Sequence, residues 1–248
     1  MPTLRALAAN LAFYLNTFVW GILCAPTLIG PRSWNIWVIK GWAKSSMWLI
    51  RMTAGIKWEV RGLENLPRKD GKMPGFILAS KHQSAWETFG LLPYLDDPAY
   101  VLKQELMYIP IYGWYAAHGD MIPIIRGSRS KALRKMTEAA KKAADTGRQI
   151  IIFPEGTRRA VGEAPDYKIG VFHLYKSLQV PIVPVALNSG QFWPRRKFKR
   201  FPGTLVMSIL PPIEPGLPAN EARAKLQDGV ERETNQLVEA ERQLREQR

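Results

Sequence analysis

Apolar and polar positions along this chain of 248 residues divide it into three regimes. Residues Ala6 to Leu23 are largely apolar, interrupted by Asn10 and Asn16, and are long enough for a borderline membrane-spanning helix. Pro26, Gly30 and Pro31 end that stretch. Arg5 ahead of it resembles a signal-peptide amino-terminal region, but no small-x-small cleavage site is convincing, and Leu23 before Cys24 does not suit a lipoprotein. The segment therefore reads as mature structure. A second stretch, about Trp34 to Ala54, is amphipathic. At ~100° per residue, Lys40, Lys44 and Arg51 fall within about 40° of one another, with Val38, Trp42 and Leu49 on the opposite side. That pattern predicts a helix lying in a membrane interface, its apolar face in the acyl region and its cations at lipid phosphates. The competing reading packs both helices on the globular core.

From Lys57 onward the pattern alternates between strand and helix. Strands are predicted at Trp58–Arg61, Phe76–Ala79, Tyr100–Leu102, Ile122–Ile125, Gln149–Phe153, Ile182–Leu187 and Leu205–Leu210. Helices are predicted at Trp86–Tyr94, Ile109–Ala117, Ser130–Asp145 and Gly170–Leu178, with Gly147 stopping the third. This alternation predicts an α/β fold with a mostly parallel central sheet flanked by helices. Asn220 to Gln247 reads as a charged, exposed terminal helix, a solvated face rather than a site. The expected division is a membrane-associating helical motif at 1–56, an α/β domain at 57–218 and a charged helix at 219–248.

Composition narrows the partner. The formal charge of +14, from 35 Lys and Arg against 21 Asp and Glu, points to an anionic one, either nucleic acid or an anionic membrane. Six of nine tryptophans (Trp20, Trp34, Trp37, Trp42, Trp48, Trp58) lie in the first quarter, and Trp prefers the membrane interface. The expectation is anionic membrane lipid and no nucleic acid. One cysteine, Cys24, excludes an intrachain disulfide. Three histidines and that cysteine form no zinc-type ligand pattern, so no metal is expected.

Chemistry concentrates in Ser80-Lys81-His82-Gln83-Ser84-Ala85-Trp86-Glu87. A histidine held by a carboxylate makes a general base near neutral pH, because the carboxylate fixes the tautomer and stabilises the imidazolium. Within one regular helix, five residues separate two side chains by about 140°, so His82 and Glu87 meet only if His82 lies outside the helix. Ser84-Ala85-Trp86-Glu87 supplies a reason, since it has the form of a capping box with Ser84 as N-cap and Glu87 as third helical residue. Glu87 as a mere cap, with His82 an ordinary loop residue, is the alternative.

A second segment, Phe153-Pro154-Glu155-Gly156-Thr157-Arg158-Arg159, follows an apolar run. Its Glu155-Gly156-Thr157 turn offers backbone N–H groups to a developing oxyanion. Arg126 ends another apolar run, and ligands of open α/β sheets gather beyond strand carboxyl ends. Arg126 with Arg158 can grip one phosphate through charge-assisted hydrogen bonds, with Lys103 a weaker candidate of the same kind. Each cation is otherwise a surface charge, and Glu155 otherwise pairs with a neighbouring arginine. The basic run Arg195–Arg200 behind Phe192-Trp193 reads as a membrane-docking edge.

Together these segments resemble the glycerolipid acyltransferase family over about residues 57–212, and the amino-terminal helices are similar to that family's membrane-anchoring two-helix motif. Four blocks appear in order: His82 to Glu87 as H-x4-D/E, the stretch ending at Arg126, Phe153 to Arg158 as F-P-E-G-T-R, and Val180-Pro181-Ile182-Val183-Pro184-Val185. Lys81 stands where the family usually has Asn, Glu87 replaces the commoner Asp, and Gly119 falls one residue further from Arg126 than usual. The resemblance implies acyl transfer from an acyl thioester, acyl-CoA or acyl carrier protein as co-substrate, to the sn-2 hydroxyl of lysophosphatidate. His82 and Glu87 would be catalytic, with Arg126, Arg158 and Lys103 holding the acceptor phosphate. Glu155, Gly156 and Thr157 would line the substrate site, and no other cofactor is implied. The implied location is the cytoplasmic face of a bacterial inner membrane. Other acceptors (glycerol 3-phosphate, a lyso-ornithine lipid, another lysophospholipid) stay open. A serine hydrolase using Ser84 lacks the G-x-S-x-G elbow. A non-catalytic basic membrane-binding protein leaves the paired motifs unexplained.

Overall fold

Apart from Gln149, Phe76–Ser80, Gln149–Ile152 and Ile182–Leu187 are continuous apolar or small-residue runs, and every residue in them is buried. Strands covered on both faces read that way rather than as alternating patterns. In the computed structural model, which describes residues 2–125 and 129–247, these runs form β2, β5 and β6 at the centre of a seven-stranded sheet. The other strands are β1 (Ile56–Arg61), β3 (Pro98–Lys103), β4 (Ile122–Ile124) and β7 (Gly203–Ile209), and the order is β1-β7-β6-β2-β5-β3-β4. Strands β6, β2, β5, β3 and β4 run parallel. β7 joins β6 antiparallel, and β1 joins β7 parallel. The mostly parallel sheet is the one the alternation predicts.

Two-residue periodicity divides the core between the faces of the sheet. Phe76 and Leu78 of β2 join Val183, Leu205 and Met207 on one face; Ile77 and Ala79 join Ile150, Ile182 and Ala186 on the other. The first face is covered by α2 (Arg32–Ala54) and α3 (Glu87–Gly90). The second is covered by α5 (Arg129–Asp145), α6 (Gly170–Leu178) and α7 (Ala219–Glu246). α4 (Tyr112–His118) completes the set. The predicted helix at Trp86–Tyr94 is shorter: α3 ends at Gly90 and a 3-10 turn takes Leu92–Tyr94. Pro93 has no N–H to extend the α-helical ladder.

Both terminal segments depart from their sequence reading. α1 (Pro2–Leu23) is long and apolar enough to cross a membrane over Thr3–Leu23, and it packs lengthwise on α2. Yet α2 is a core helix. Ala43, Met47, Ile50 and Ala54 are buried in the same cluster as Phe76 and Leu205. Val38 is buried and Trp42 and Leu49 are half-buried, so the face expected in lipid is largely occupied by protein. Trp34, Trp37 and Trp48 are exposed instead, on the side that carries Lys44 and Arg51. α7 is not merely a solvated face either. Ala222, Leu226, Val230, Thr234 and Leu237 are buried, a spacing of four and three residues obscured by the surrounding charges.

Candidate active site

The carboxyl ends of β2, β5, β3 and β6 lie along one edge of the parallel sheet, which brings His82, the Phe153–Arg159 turn, Lys103 and Ser189 to the same side. That edge is where open α/β sheets place ligands. His82 follows β2 by two residues, before α3, and Nδ1 of its ring lies 2.9 Å from Oε1 of Glu87. Phe153 stacks on the imidazole at 4.0 Å between ring centres, tilted by 16°. With Nδ1–H donated to the carboxylate, Nε2 is the nitrogen left to accept a proton.

Glu87 is wholly buried and accepts from every side. Besides the imidazole, Oε1 takes the N–H groups of Gln83 and Ser84, each at 2.6 Å. Oε2 takes the hydroxyls of Ser84 at 3.0 Å and Ser189 at 2.8 Å. Burial pushes the carboxyl pKa up, but the His82 hydrogen bond and charge, with the Ser84 N–H, outweigh burial and hold it below the ordinary value. Glu87 thus holds both the imidazole and the backbone of the turn before α3. The carboxylate takes the Ser84 N–H as the back half of a capping box would, but the helix begins at Glu87 with Trp86 at its N-cap, so Ser84 is not the cap and Glu87 not the third helical residue that the sequence predicts. Ser84 Oγ takes the N–H of Trp86 at 2.8 Å rather than that of Glu87. Engaged with Glu87 and Trp86, Ser84 has no hydrogen bond to His82, which removes the geometric basis of a serine nucleophile.

The second turn supports the first. Glu155 is buried: Oε2 accepts the backbone N–H of His82 at 3.0 Å, and Oε1 accepts from Nζ of Lys81 at 2.8 Å. The N–H of Arg159 donates to the His82 carbonyl at 2.8 Å. The backbone of His82 is thus held at both polar groups. Glu155, expected among the substrate contacts, instead faces the protein interior. Burial raises its pKa, against the opposing pull of Lys81. The Gly156 N–H, expected to face an oxyanion, closes the turn on the Phe153 carbonyl at 2.9 Å. Glycine is favoured there by its φ of 62°.

Thr157 and Arg158 are half-buried in the same turn, and neither makes a hydrogen bond or ion pair among the described residues. Arg159 pairs with Glu163 and Asp166. Lys103 closes β3 opposite Ile124 of β4. Arg126 lies outside the described residues. Tyr100, one strand from Phe153 with ring centres 6.1 Å apart, has a buried hydroxyl with no partner among the described residues.

The Acyltransferase family model matches residues 57–188, more than half of the chain. The chain belongs to the Acyltransferase family. A 1-acyl-sn-glycerol-3-phosphate acyltransferase of Pseudomonas aeruginosa is 37% identical over 217 residues, covering 85% of this chain and 82% of that protein. The Saccharomyces cerevisiae protein of the same description is 28% identical over 228 residues, covering 90% and 71%. In fold, the chain is similar to the crystal structure of the 1-acyl-sn-glycerophosphate (LPA) acyltransferase of Thermotoga maritima. The TM-score is 0.77 at 24% identity, covering 96% of this chain and 99% of that one.

The segment that matches the acyltransferase family holds His82, Glu87, Lys103 and the Phe153–Arg159 turn, but the structure adds contacts from outside it. Ser189 lies one residue beyond, and Glu231 of α7 reaches Lys81 with both oxygens, at 2.8 and 3.0 Å. Sequence reasoning missed both, together with the inward role of Lys81. A lysine beside the histidine, where the family usually has Asn, was the one signal that an acidic partner had to exist elsewhere.

Proposed function

We propose that this protein is a 1-acyl-sn-glycerol-3-phosphate acyltransferase working at a membrane surface, and that His82 is its general base. The observation that carries the proposal is the 2.9 Å contact of His82 Nδ1 with buried Glu87 at the ligand-binding edge of the sheet. Relatives described by that activity cover most of the chain. The sn-2 oxygen of lysophosphatidate attacks the thioester carbonyl of acyl-CoA or acyl carrier protein, and its proton passes to Nε2 of His82. Collapse of the tetrahedral adduct breaks the C–S bond. His82 returns the proton to the departing thiolate, leaving phosphatidate and free thiol.

Glu87 keeps Nε2 as the acceptor and stabilises the imidazolium. Thr157, which makes no hydrogen bond among the described residues, would offer its backbone N–H to the developing oxyanion. Arg158, with Arg126 and Lys103, would bind the acceptor phosphate so that remote binding aligns the hydroxyl. α1 and the exposed tryptophans of α2 would seat the enzyme on the cytoplasmic face of the inner membrane, where anionic lipids meet its positive charge.

The test uses purified full-length protein in detergent with lysophosphatidate and each donor type, with mass spectrometry of the product. Phosphatidate formation by the wild type, and a loss of about 10²–10⁴ in rate with His82→Ala, are expected. No phosphatidate from either donor overturns the activity. A His82→Ala enzyme retaining more than about a tenth of the rate overturns the base.

A further inference from the structure

The ammonium of Lys81 is almost fully buried between two carboxylates that lie 74 and 150 positions further along the chain. Nζ donates to Glu155 Oε1 at 2.8 Å and to both oxygens of Glu231, and the Tyr167 hydroxyl donates to Glu231 Oε1 at 3.0 Å. Three segments meet there: the turn after β2, the turn after β5, and α7. A buried ion pair with good geometry often adds little net stability, whereas removing one member leaves an uncompensated charge. Its value here lies in what it fixes. Glu155 uses its other oxygen to hold the N–H of His82, so any movement of Lys81 is transmitted to the backbone of the base.

α7 supports the dyad by a second path. Gln191 Nε2 donates to the Val238 carbonyl at 3.0 Å, and Asn188 Nδ2 to that of Leu237. These two residues flank Ser189, whose hydroxyl holds Glu87. The helix therefore braces both members of the pair. Glu231 is its one charged contact with the turn that carries His82, among the described residues.

We propose that Glu231 is a positioning residue for His82, acting through Lys81 and Glu155. The proposal rests on His82 being the base. Glu231 has no expected contact with substrate, so its loss should lower turnover while leaving both substrates' binding unchanged. A displacement of about 1 Å in a catalytic group costs up to roughly 10²-fold in rate.

Full-length Glu231→Gln, Lys81→Met and the double variant are assayed in detergent beside His82→Ala. Melting curves report the folded fraction. Glu231→Gln keeps the shape but removes the second anion. Its kcat per folded molecule should fall about tenfold or more, with the KM of lysophosphatidate and of acyl donor each within about twofold. If the effect passes through Lys81, adding Glu231→Gln to Lys81→Met costs nothing further in kcat. Wild-type kcat in Glu231→Gln overturns the inference, as does full additivity in the double variant. If Lys81→Met does not fold, the kcat and KM of Glu231→Gln decide alone. An active His82→Ala enzyme overturns both this inference and the reading of the base. An inactive one beside a normal Glu231→Gln overturns this inference only.

Discussion

Ser189 Oγ donates a 2.8 Å hydrogen bond to Oε2 of Glu87 across 102 positions of sequence. The contact ties the end of β6 to the carboxylate that orients His82, and both residues are wholly buried. Oε2 has one other donor, the Ser84 hydroxyl, so Ser189 supplies half of its hydrogen bonding. Ser189→Ala should cost about 1.5–3 kcal/mol, the range for a hydrogen bond to a charged group. Turnover should also fall, since a freer carboxylate orients the imidazole less well. Thermal unfolding and kcat per folded molecule check the pair of effects. Unchanged values in both would show that Ser84 alone satisfies the oxygen.

Glu87→Gln separates charge from shape. All five contacts to Glu87 come from N–H or O–H groups. A glutamine can turn its oxygen to the three N–H donors and its amide to the two hydroxyls, which also accept. It cannot stabilise an imidazolium as an anion does. Thermal stability near neutral pH should therefore change modestly while kcat drops steeply. If stability collapses and turnover per folded molecule survives, Glu87 is only a cap.

The same variant isolates a pH effect. The folded-state pKa of Glu87 is depressed, so the unfolded chain binds the proton more readily. Its contribution to stability is present above the unfolded pKa and is lost as pH falls through the folded pKa. The stability difference between wild type and Glu87→Gln should shrink on acidification across that window, followed by urea unfolding at successive pH values. A difference that grows toward acid would reverse the sign of the assignment.

Local patterns carried most of the fold. Ile182–Leu187 and Gly170–Leu178 match the predicted elements at both ends, because a buried strand and an amphipathic helix declare themselves within a few residues. The His82–Glu87 pair was legible for the same reason, since its geometry follows from one turn. Ser189, Glu231 and the inward orientation of Glu155 were not, because each is decided by a partner more than seventy positions away. α2 and α7 were misjudged by a shared mechanism. Charged residues on one side of a long helix drew the reading toward solvent or lipid, while small residues such as Ala43, Ala54 and Ala222 were packing against the sheet.

Arg158→Ala should raise the KM of the phosphorylated acceptor and leave the donor KM near its wild-type value. The guanidinium has no ion-pair partner among the described residues, in contrast to neighbouring Arg159. Its removal should therefore cost little stability, and the loss is a charge-assisted hydrogen bond to substrate. About ten- to a hundredfold in KM is the expected scale, since such a bond contributes about 1.5–3 kcal/mol. Arg126→Ala is expected to act in the same way. An equal defect with a phosphate-free acceptor would sink the phosphate assignment for either residue.

Membrane seating and folding can be separated within the amino-terminal helices. Removing residues 1–56 would strip Ala43, Met47, Ile50 and Ala54 from the core cluster beneath the sheet, so that truncation should fail to fold even in detergent. Point changes on the outer face of α1 avoid this. Leu11, Leu15 and Phe18 are each more than half exposed. Burying one such side chain is worth about 1.5–3 kcal/mol. Replacing all three by Gln should weaken binding to vesicles containing anionic lipid by at least about a hundredfold, leaving turnover on detergent-dispersed substrate within about twofold. Added salt should weaken the wild type as well, because Lys44 and Arg51 lie exposed beside Trp37 and Trp48 and each cation contributes roughly 1 kcal/mol at an anionic surface. Unchanged vesicle binding in the triple variant would move the anchor elsewhere, with the basic, aromatic segment Phe192–Arg200 next to be tested. Loss of detergent activity together with binding would show that the outer face of α1 serves the site itself, beyond attachment to the bilayer.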